Sequence, residues 1–190
     1  MKRPILIALA VLCLCSLGML SAQVEQAPFG VNYFANNGPG VPDGTVRINN
    51  PGTTNGDLCA MIYVFDNDQE MNECCGCLTT PDGLRTLSMR SSLTNNPLTT
   101  TVRTGDIKIV SAVVNGFPCD PTSNVSPSGG LNSWATHPQN QISTGGFPIT
   151  ETAFSNSTLS AGELASLEAD CFFTVRLGSG RGICSCGTGD

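Results

Sequence analysis

The feature that most constrains this chain is a set of eight cysteines beyond an apolar N-terminal leader. Three of them lie in the run Cys74-Cys75-Gly76-Cys77, two lie in Cys184-Ser185-Cys186, and the others stand apart. An even number of cysteines after an export signal is typical of a secreted domain held together by disulfides. We therefore expect four disulfides, formed by Cys59, Cys74, Cys75, Cys77, Cys119, Cys171, Cys184 and Cys186.

The leader, residues 1–22, has the parts of a secretory signal peptide. Lys2 and Arg3 begin it, an apolar run extends from Ile5 to Leu20, and Ser21-Ala22 places a small residue at the cleavage position. An uncleaved membrane anchor is the alternative, but the apolar run is shorter than the roughly 20 residues that a span needs. We expect a cleaved leader, a single mature domain over residues 23–190, and secretion to the extracellular space or periplasm without membrane insertion.

The mature chain is acidic and poor in positive charge. The leader carries two of the nine basic residues and none of the fifteen acidic ones, so its removal changes the net charge from −6 to −8. Lys108 is then the only lysine. A chain of this charge cannot neutralise a row of phosphates, which argues against a nucleic-acid partner.

Apolar runs of strand length, separated by turn residues, predict a mainly β fold. We expect a disulfide-stabilised β-sandwich, with an immunoglobulin-like arrangement as one candidate, and a single C-terminal helix. Leu58–Phe65 is apolar on both faces, which predicts a central strand that returns as a hairpin through residues 71–79. Further strands are expected over residues 29–35, 45–48, 84–89, 107–114, 131–136 and 147–154.

The expected helix spans about residues 160–173. Ser160 and Glu163 have the spacing of a capping box, in which the glutamate reaches back to the cap amide. Leu164, Leu167 and Cys171 then recur on one helical face. We expect a disulfide at Cys171 to attach the helix to the sheet.

The cysteine clusters have three chemical interpretations. Zinc sites usually use Cys-x-x-Cys pairs, and an oxidising compartment favours disulfides over free thiolates, so structural bridges are favoured over a metal or thiol-redox site. Adjacent Cys74 and Cys75 point to opposite faces of a strand. We expect Cys184 and Cys186 to pair with the Cys74–Cys77 cluster and so to fasten the C-terminal tail to the hairpin.

The densest acidic group raises the question of calcium. Asp66, Asp68 and Glu70 are candidate ligands, but an EF-hand loop beginning at Asp66 would need Gly at position 71 and Glu at position 77. A looser site between strands stays an alternative. A solvated hairpin tip is the favoured interpretation, and we expect no cofactor.

Other catalytic or binding chemistry has few candidates. His137 is the only histidine, and the sequence contains neither a nucleophile elbow nor a zinc-protease motif, so a hydrolase is the third-ranked function. Trp134, the only tryptophan, can stack on a sugar or a partner. We favour a position for it in the core or at the core edge.

Several short segments of the chain, taken together, resemble a known group of proteins. The segments are residues 58–59, 63–66, 69–71, 74–77, 83–84, 87–88, 93–99, 178–182, 184 and 186. In them the chain resembles small, exported, Cys-rich proteins of soil bacteria for which no activity is known. The likeness covers most of residues 55–186 and implies a bacterial, non-cytosolic protein, but no substrate or site residues.

Together these observations favour a secreted, non-enzymatic structural or interaction module of the bacterial cell surface or extracellular matrix. Its partner would be a protein, a glycan or another copy of itself. The alternative is a secreted metal-binding or thiol-redox protein that uses the Cys74–Cys77 and Cys184–Cys186 clusters.

Overall fold

The chain folds into two antiparallel sheets, as its alternation of apolar and polar residues predicts. The structure is a computed structural model that describes residues 27–98, 102–116, 118–177 and 182–189. The predicted signal peptide, residues 1–22, lies outside the described residues. The strands are β1 (Phe29–Phe34), β2 (Thr45–Asn49), β3 (Leu58–Asp66), β4 (Met71–Thr79), β5 (Leu84–Ser88), β6 (Gly105–Val113), β7 (Asn132–Pro138), β8 (Ile149–Ala153), β9 (Ser155–Asn156) and β10 (Thr188–Gly189).

The strands are distributed evenly between the sheets. Sheet I has the order β4-β3-β6-β1-β9, and sheet II has the order β10-β5-β2-β7-β8. The inner faces of both sheets supply one apolar core, with Ile48 from β2, Ile62 from β3 and Ile107 from β6 among its buried side chains. The predicted disulfide-stabilised β-sandwich is therefore confirmed.

The outer face of sheet I is covered as well, because a helix and a loop pack on it. Met61, Tyr63 and Val110 are buried there beneath Leu167 of the helix and Val125 of the loop. Strand β3 is consequently buried on both faces over residues 58–64, as its unbroken apolar sequence predicts. The register of β3 with β4 confirms the expected hairpin.

Helix α1 (Ala161–Phe172) confirms the predicted C-terminal helix and is followed by a π-helical turn, Phe173–Leu177. The Ser160 hydroxyl accepts the Glu163 amide at 3.0 Å, which is half of the predicted capping box. The second predicted bond, from the Ser160 amide to the Glu163 carboxylate, is wrong. The Glu163 carboxylate accepts a bond from Lys108 Nζ of β6 at 2.7 Å, because the charged partner on the sheet offers a stronger bond than the cap amide.

The strand order is not that of an immunoglobulin domain. The first two strands of such a domain share a sheet, whereas β1 and β2 lie in opposite sheets here. Residues 35–44 connect β1 of sheet I to β2 of sheet II, and hydrogen bonds hold this segment in place. Asn37 Nδ2, for example, donates to the Val102 carbonyl at 2.9 Å. Apolar patterning indicates where the longer strands lie and which faces they bury, but it does not set the order of the strands.

Two short strands, β9 and β10, are not expected from the sequence. Each has two residues and pairs at the edge of a sheet, β9 with β1 and β10 with β5. Neither has an apolar run that patterning could detect. Among the residues that the structure describes, no helix combines the length and apolar character that crossing a bilayer requires.

Candidate functional site

The Cys74-Cys75-Gly76-Cys77 run lies in β4, where successive side chains alternate between the two faces of sheet I. Cys75 and Cys77 point into the core between the sheets, and Cys74 points to the outer face beneath α1. Gly76 shares the outer face, where a Cβ would overlap the Cys119 carbonyl oxygen. The cysteines of this run thus lie on both faces of sheet I, and Gly76 leaves the space that the loop with Cys119 occupies.

All eight cysteines beyond the leader are paired, which confirms the expected use of disulfides. The pairs at Cys184 and Cys186 fasten the tail to β4, and the pair at Cys171 attaches α1 to the same strand. The fourth pair fixes the loop over sheet I to β3. The bridges are Cys59–Cys119, Cys74–Cys171, Cys75–Cys184 and Cys77–Cys186.

The C-terminal tail covers one lateral edge of the sandwich, which we call the covered edge (β4, β5 and residues 182–189). Cys74 of β4 donates its amide to the Gly182 carbonyl at 2.9 Å and accepts the Cys184 amide at 3.2 Å. Four residues later β10 pairs with β5 of sheet II. The tail therefore occupies hydrogen-bonding positions on edge strands of both sheets, next to the two disulfides that hold it.

The same sulfur atoms form the one group of three metal-ligand side chains found among the described residues. The Sγ atoms of Cys75, Cys77 and Cys186 lie within 4.8 Å of one another. Each of these sulfurs is already bonded to another sulfur, and metal binding requires thiolates. Cys74 and Cys77 have the spacing of a redox dithiol but face opposite sides of the strand. The geometry gives the metal or redox alternative little support.

The calcium candidates lie at the tip of the β3–β4 hairpin. Asp66 Oδ1 accepts the backbone amides of Asp68 at 2.9 Å and of Glu70 at 3.1 Å. The carboxylate thus stabilises its own turn, and the side chains of Asp68 and Glu70 are exposed to solvent. The carboxylate oxygens of Asp66, Asp68 and Glu70 do not lie as close to one another as the three sulfur atoms of Cys75, Cys77 and Cys186 do.

His137 is almost fully buried, at 1% exposure, and its ring stacks on Tyr33 with a centroid distance of 4.3 Å. Its Nε2 lies 2.7 Å from the Thr152 hydroxyl, which also accepts from the Asn32 amide at 3.2 Å. Burial lowers the pKa of His137. Its Nδ1 has no hydrogen-bond partner within the described part of the chain, so nothing there orients the ring as in a catalytic triad. The cluster joins β1 to β7 and β8.

A large cavity lies at the opposite lateral edge, where β8 and β9 end the two sheets. We call β8 and β9 the open edge and this cavity of about 670 Å³ the open-edge groove. The chain crosses from sheet II to sheet I at Phe154, which is buried against β1. Gly30 of β1 permits this crossing, since a Cβ there would lie 3.1 Å from Phe154 Cβ.

Trp134 of β7 lines the open-edge groove and is half-buried. Its neighbour Ala135 points into the core, so the indole stands on the outer face of sheet II. Trp134 belongs to neither apolar cluster, so the predicted position in the core or at the core edge is wrong, and the residue borders a cavity instead. Across the strands, Trp134 pairs with Ala153 of β8 and with Arg47 of β2.

The polar lining of the open-edge groove comes from several strands. Asn49, Asn156 and Glu151 contribute amide and carboxylate groups from β2, β9 and β8. Arg47 Nη1 lies 3.3 Å from Glu151 Oε2, which leaves this pair neutral as a unit. Ser111 of β6 also lines the groove. It is 4% exposed, and its hydroxyl has no hydrogen-bond partner among the described residues.

A second buried polar group, Glu73, lies at the covered edge. Its side chain is fully buried in β4, and its Oε1 accepts the Asn96 amide. Its Oε2 has no hydrogen-bond partner in the described structure. Burial raises the pKa of Glu73 to about 7, although bonds from the backbone amides of Asn96 and Asn95 act in the opposite direction. The sequence gives no sign of this, because acidic residues are rarely buried.

Comparison with known proteins yields one distant similarity. No protein-family model matches the chain, and no curated protein matches it. The chain is similar to the crystal structure of Thermotoga maritima 1070, with 12% sequence identity and a TM-score of 0.46. The match covers 70% of this chain and 96% of that one. A similarity this weak supports no argument about function.

Proposed function

We propose that this protein is an exported, non-enzymatic interaction module of a bacterial cell surface or extracellular matrix. The observation that carries the proposal is the contrast between its two lateral edges. The covered edge is occupied by the disulfide-bonded tail, whereas the open edge combines a large groove with a strand whose outer side is unpaired among the described residues. Concave sites with a few convergent polar groups are where proteins bind ligands.

The backbone of β8 supports the proposal. Phe154 donates its amide to the Ser133 carbonyl, and Gln139 donates to the Pro148 carbonyl. These bonds fix the alternation, so that the amides and carbonyls of Ile149, Glu151 and Ala153 point away from β7. All five side chains of β8 are exposed. A partner in the groove would therefore also reach backbone donors and acceptors along this strand.

Binding is favoured over catalysis because the described residues that line the open-edge groove include no histidine and no cysteine. The sole histidine is buried beneath Tyr33 and bonded to Thr152, and it is not among the residues that line the groove. Storage of all eight mature cysteines in disulfides also removes the usual nucleophilic thiols. Both features are consistent with a rigid extracellular scaffold.

The proposal is tested by sedimentation of purified mature protein with the cell envelope of the producing bacterium. Two variants carry the same substitution at exposed alanines, Ala153→Arg in the groove wall and Ala165→Arg on α1. We expect the wild type and Ala165→Arg to sediment equally. We expect Ala153→Arg to need about tenfold more envelope, because the new side chain occupies the groove.

Two results would contradict this assignment. One is a wild-type protein that stays in the supernatant at every envelope concentration. The other is an Ala153→Arg variant that folds normally and sediments like the wild type. Mass analysis of protein recovered after expression of the full chain tests export separately, and we expect the mature protein to begin at Gln23.

A further inference from the structure

We propose that the open-edge groove binds a neutral oligosaccharide, with Trp134 as the surface on which a sugar ring stacks. This inference rests on the proposed function, because it names the ligand class of the same groove. Sugars present an apolar C–H face and a rim of hydroxyl groups. The groove offers a matching aromatic surface and polar rim.

The aromatic surface has room beside it. Trp134 pairs across the strands with Ala153, whose methyl group is the smallest chiral side chain. A larger residue at that position would stand beside the indole on the same outer face of sheet II. Both residues border the cavity, so the space next to the ring belongs to the groove. Tryptophan at such a half-buried position offers a large apolar surface at little entropic cost.

The polar rim has the donors and acceptors that hydroxyl groups need. Asn49 lines the groove, and its side-chain Nδ2 donates to the Gly83 carbonyl at 3.3 Å, so its amide oxygen is the atom that can accept a further bond. Asn156 adds a second amide, and Glu151 adds a carboxylate whose Oε2 is held by Arg47. Amides and carboxylates arranged around a cavity suit a ligand whose hydroxyls both donate and accept.

Ser111 supplies an independent sign of a ligand. A buried hydroxyl without a hydrogen bond costs free energy, so native structures rarely retain one without a reason. The Ser111 hydroxyl lies on the inner face of β6 where this face borders the groove, and its exposed fraction is 4%. A ligand hydroxyl that enters the groove would provide the missing partner.

The charge of the molecule selects a neutral ligand. The mature chain has a net charge of −8, and Arg47, a cation beside the groove, is paired with the lining residue Glu151. Anionic polymers would be repelled by this field. An apolar ligand would leave the amides and the Ser111 hydroxyl without partners. A peptide is the competing occupant, and the experiments below separate it from a glycan.

The test uses the intrinsic fluorescence of the folded, oxidised protein, since Trp134 is the only tryptophan. Hexasaccharides of glucose, N-acetylglucosamine, xylose and mannose are the probes, and polygalacturonate is the anionic control. We expect a saturable change in emission with at least one neutral probe and none with polygalacturonate.

Calorimetry with the binding hexasaccharide then measures the variants. We expect Trp134→Ala to weaken binding about tenfold or more, Trp134→Phe to weaken it less, and Ala165→Arg to leave it unchanged. Ser111→Ala should weaken binding about three- to tenfold while the melting temperature stays equal or rises. A residue that serves only the fold would not show this combination, and the melting curves identify any variant that fails to fold.

Envelope material distinguishes a wrong ligand class from a wrong site. We expect binding to survive protease treatment of the envelope and to disappear after periodate oxidation of its glycans. The opposite pattern, with Ala153→Arg still defective, would overturn the glycan assignment and keep the proposed function. Unchanged oligosaccharide affinity in folded Trp134→Ala would also overturn it. Loss of the difference between Ala153→Arg and Ala165→Arg would refute both proposals.

Discussion

The two lateral edges of the sandwich deal with unpaired strands in opposite ways. At the covered edge the tail hydrogen-bonds to β4 and β5 and is held by two disulfides to β4. At the open edge β8 pairs with β7 alone among the described strands, and hydrogen bonds among Asn32, His137 and Thr152 join the sheets. Covalent bonds hold the tail over one edge, and the proposed function assigns the binding of a partner to the other.

The two edges also bury different ionisable side chains, a carboxyl group and an imidazole. We therefore expect the contributions of the two edges to stability to change with pH in opposite directions. Burial raises the pKa of Glu73 at the covered edge to about 7, so stability is lost as pH rises from the ordinary glutamate pKa towards 7, where the unfolded chain releases the proton first. His137 at the open edge has a lowered pKa. There the unfolded chain binds the proton more readily, so stability is lost as pH falls below the ordinary histidine pKa.

We expect the largest loss of stability when the two disulfides of the covered edge are removed. Substitution of Cys75, Cys77, Cys184 and Cys186 together by alanine removes two bridges that close long loops, and we expect the free energy of unfolding to fall by about 4 kcal/mol or more. Denaturant titration measures it. The control, Cys59→Ala with Cys119→Ala, removes one bridge away from both edges and should cost about half as much. Equal losses would contradict a special role for the tail.

The second prediction concerns the buried carboxyl group of Glu73. Glu73→Gln keeps an acceptor for the Asn96 amide but cannot ionise, so we expect the variant to be more stable than the wild type by about 2 kcal/mol above pH 8. The advantage should shrink as pH falls from about 7 towards the ordinary glutamate pKa. Glu70→Gln at the exposed hairpin tip should have no such effect at any pH. An advantage for Glu73→Gln that does not change with pH would show that the carboxylate is not the cause.

The third effect tests the hydrogen bonds of the open edge. Thr152→Val removes the hydroxyl shared by His137 and Asn32, and we expect a loss of about 1–2 kcal/mol because both side chains are buried. Thr150→Val alters the same strand but removes only a bond to the Gln139 side chain at the surface. Its cost should stay below about 0.5 kcal/mol. Similar costs for the two valine variants would argue that the cluster does not hold this edge.

The smallest effect is expected at the ion pair on the outer face of sheet II. Arg47→Met removes the partner of Glu151, and both side chains are partly exposed. Stability should change by less than about 1 kcal/mol, and the change should vanish in 1 M salt. Thermal melts at low and high salt measure it. A larger loss that persists in salt would show that Arg47 acts through packing rather than charge.

Much of the fold follows from local sequence, and little of the groove does. The apolar run Leu58–Phe65 and the cap at Ser160 predict β3 and α1 because each signal lies within one element. The cysteine spacing predicts the attachment of the tail, since alternation in β4 separates Cys74 from its neighbours. The groove instead combines residues from six strands between residues 30 and 156, and strand order brings them together. Trp134 alone was a candidate from its residue type.

The whole interpretation depends on the sulfur atoms of the mature protein forming covalent bridges that fasten the tail to β4. Intact-mass measurement of the unreduced protein after alkylation under denaturing conditions tests it most directly. We expect no added alkyl group without reductant and eight with it, and no bound transition metal at stoichiometric occupancy in the native protein. Two or more alkylated cysteines without reductant, or one metal ion per chain, would contradict the account.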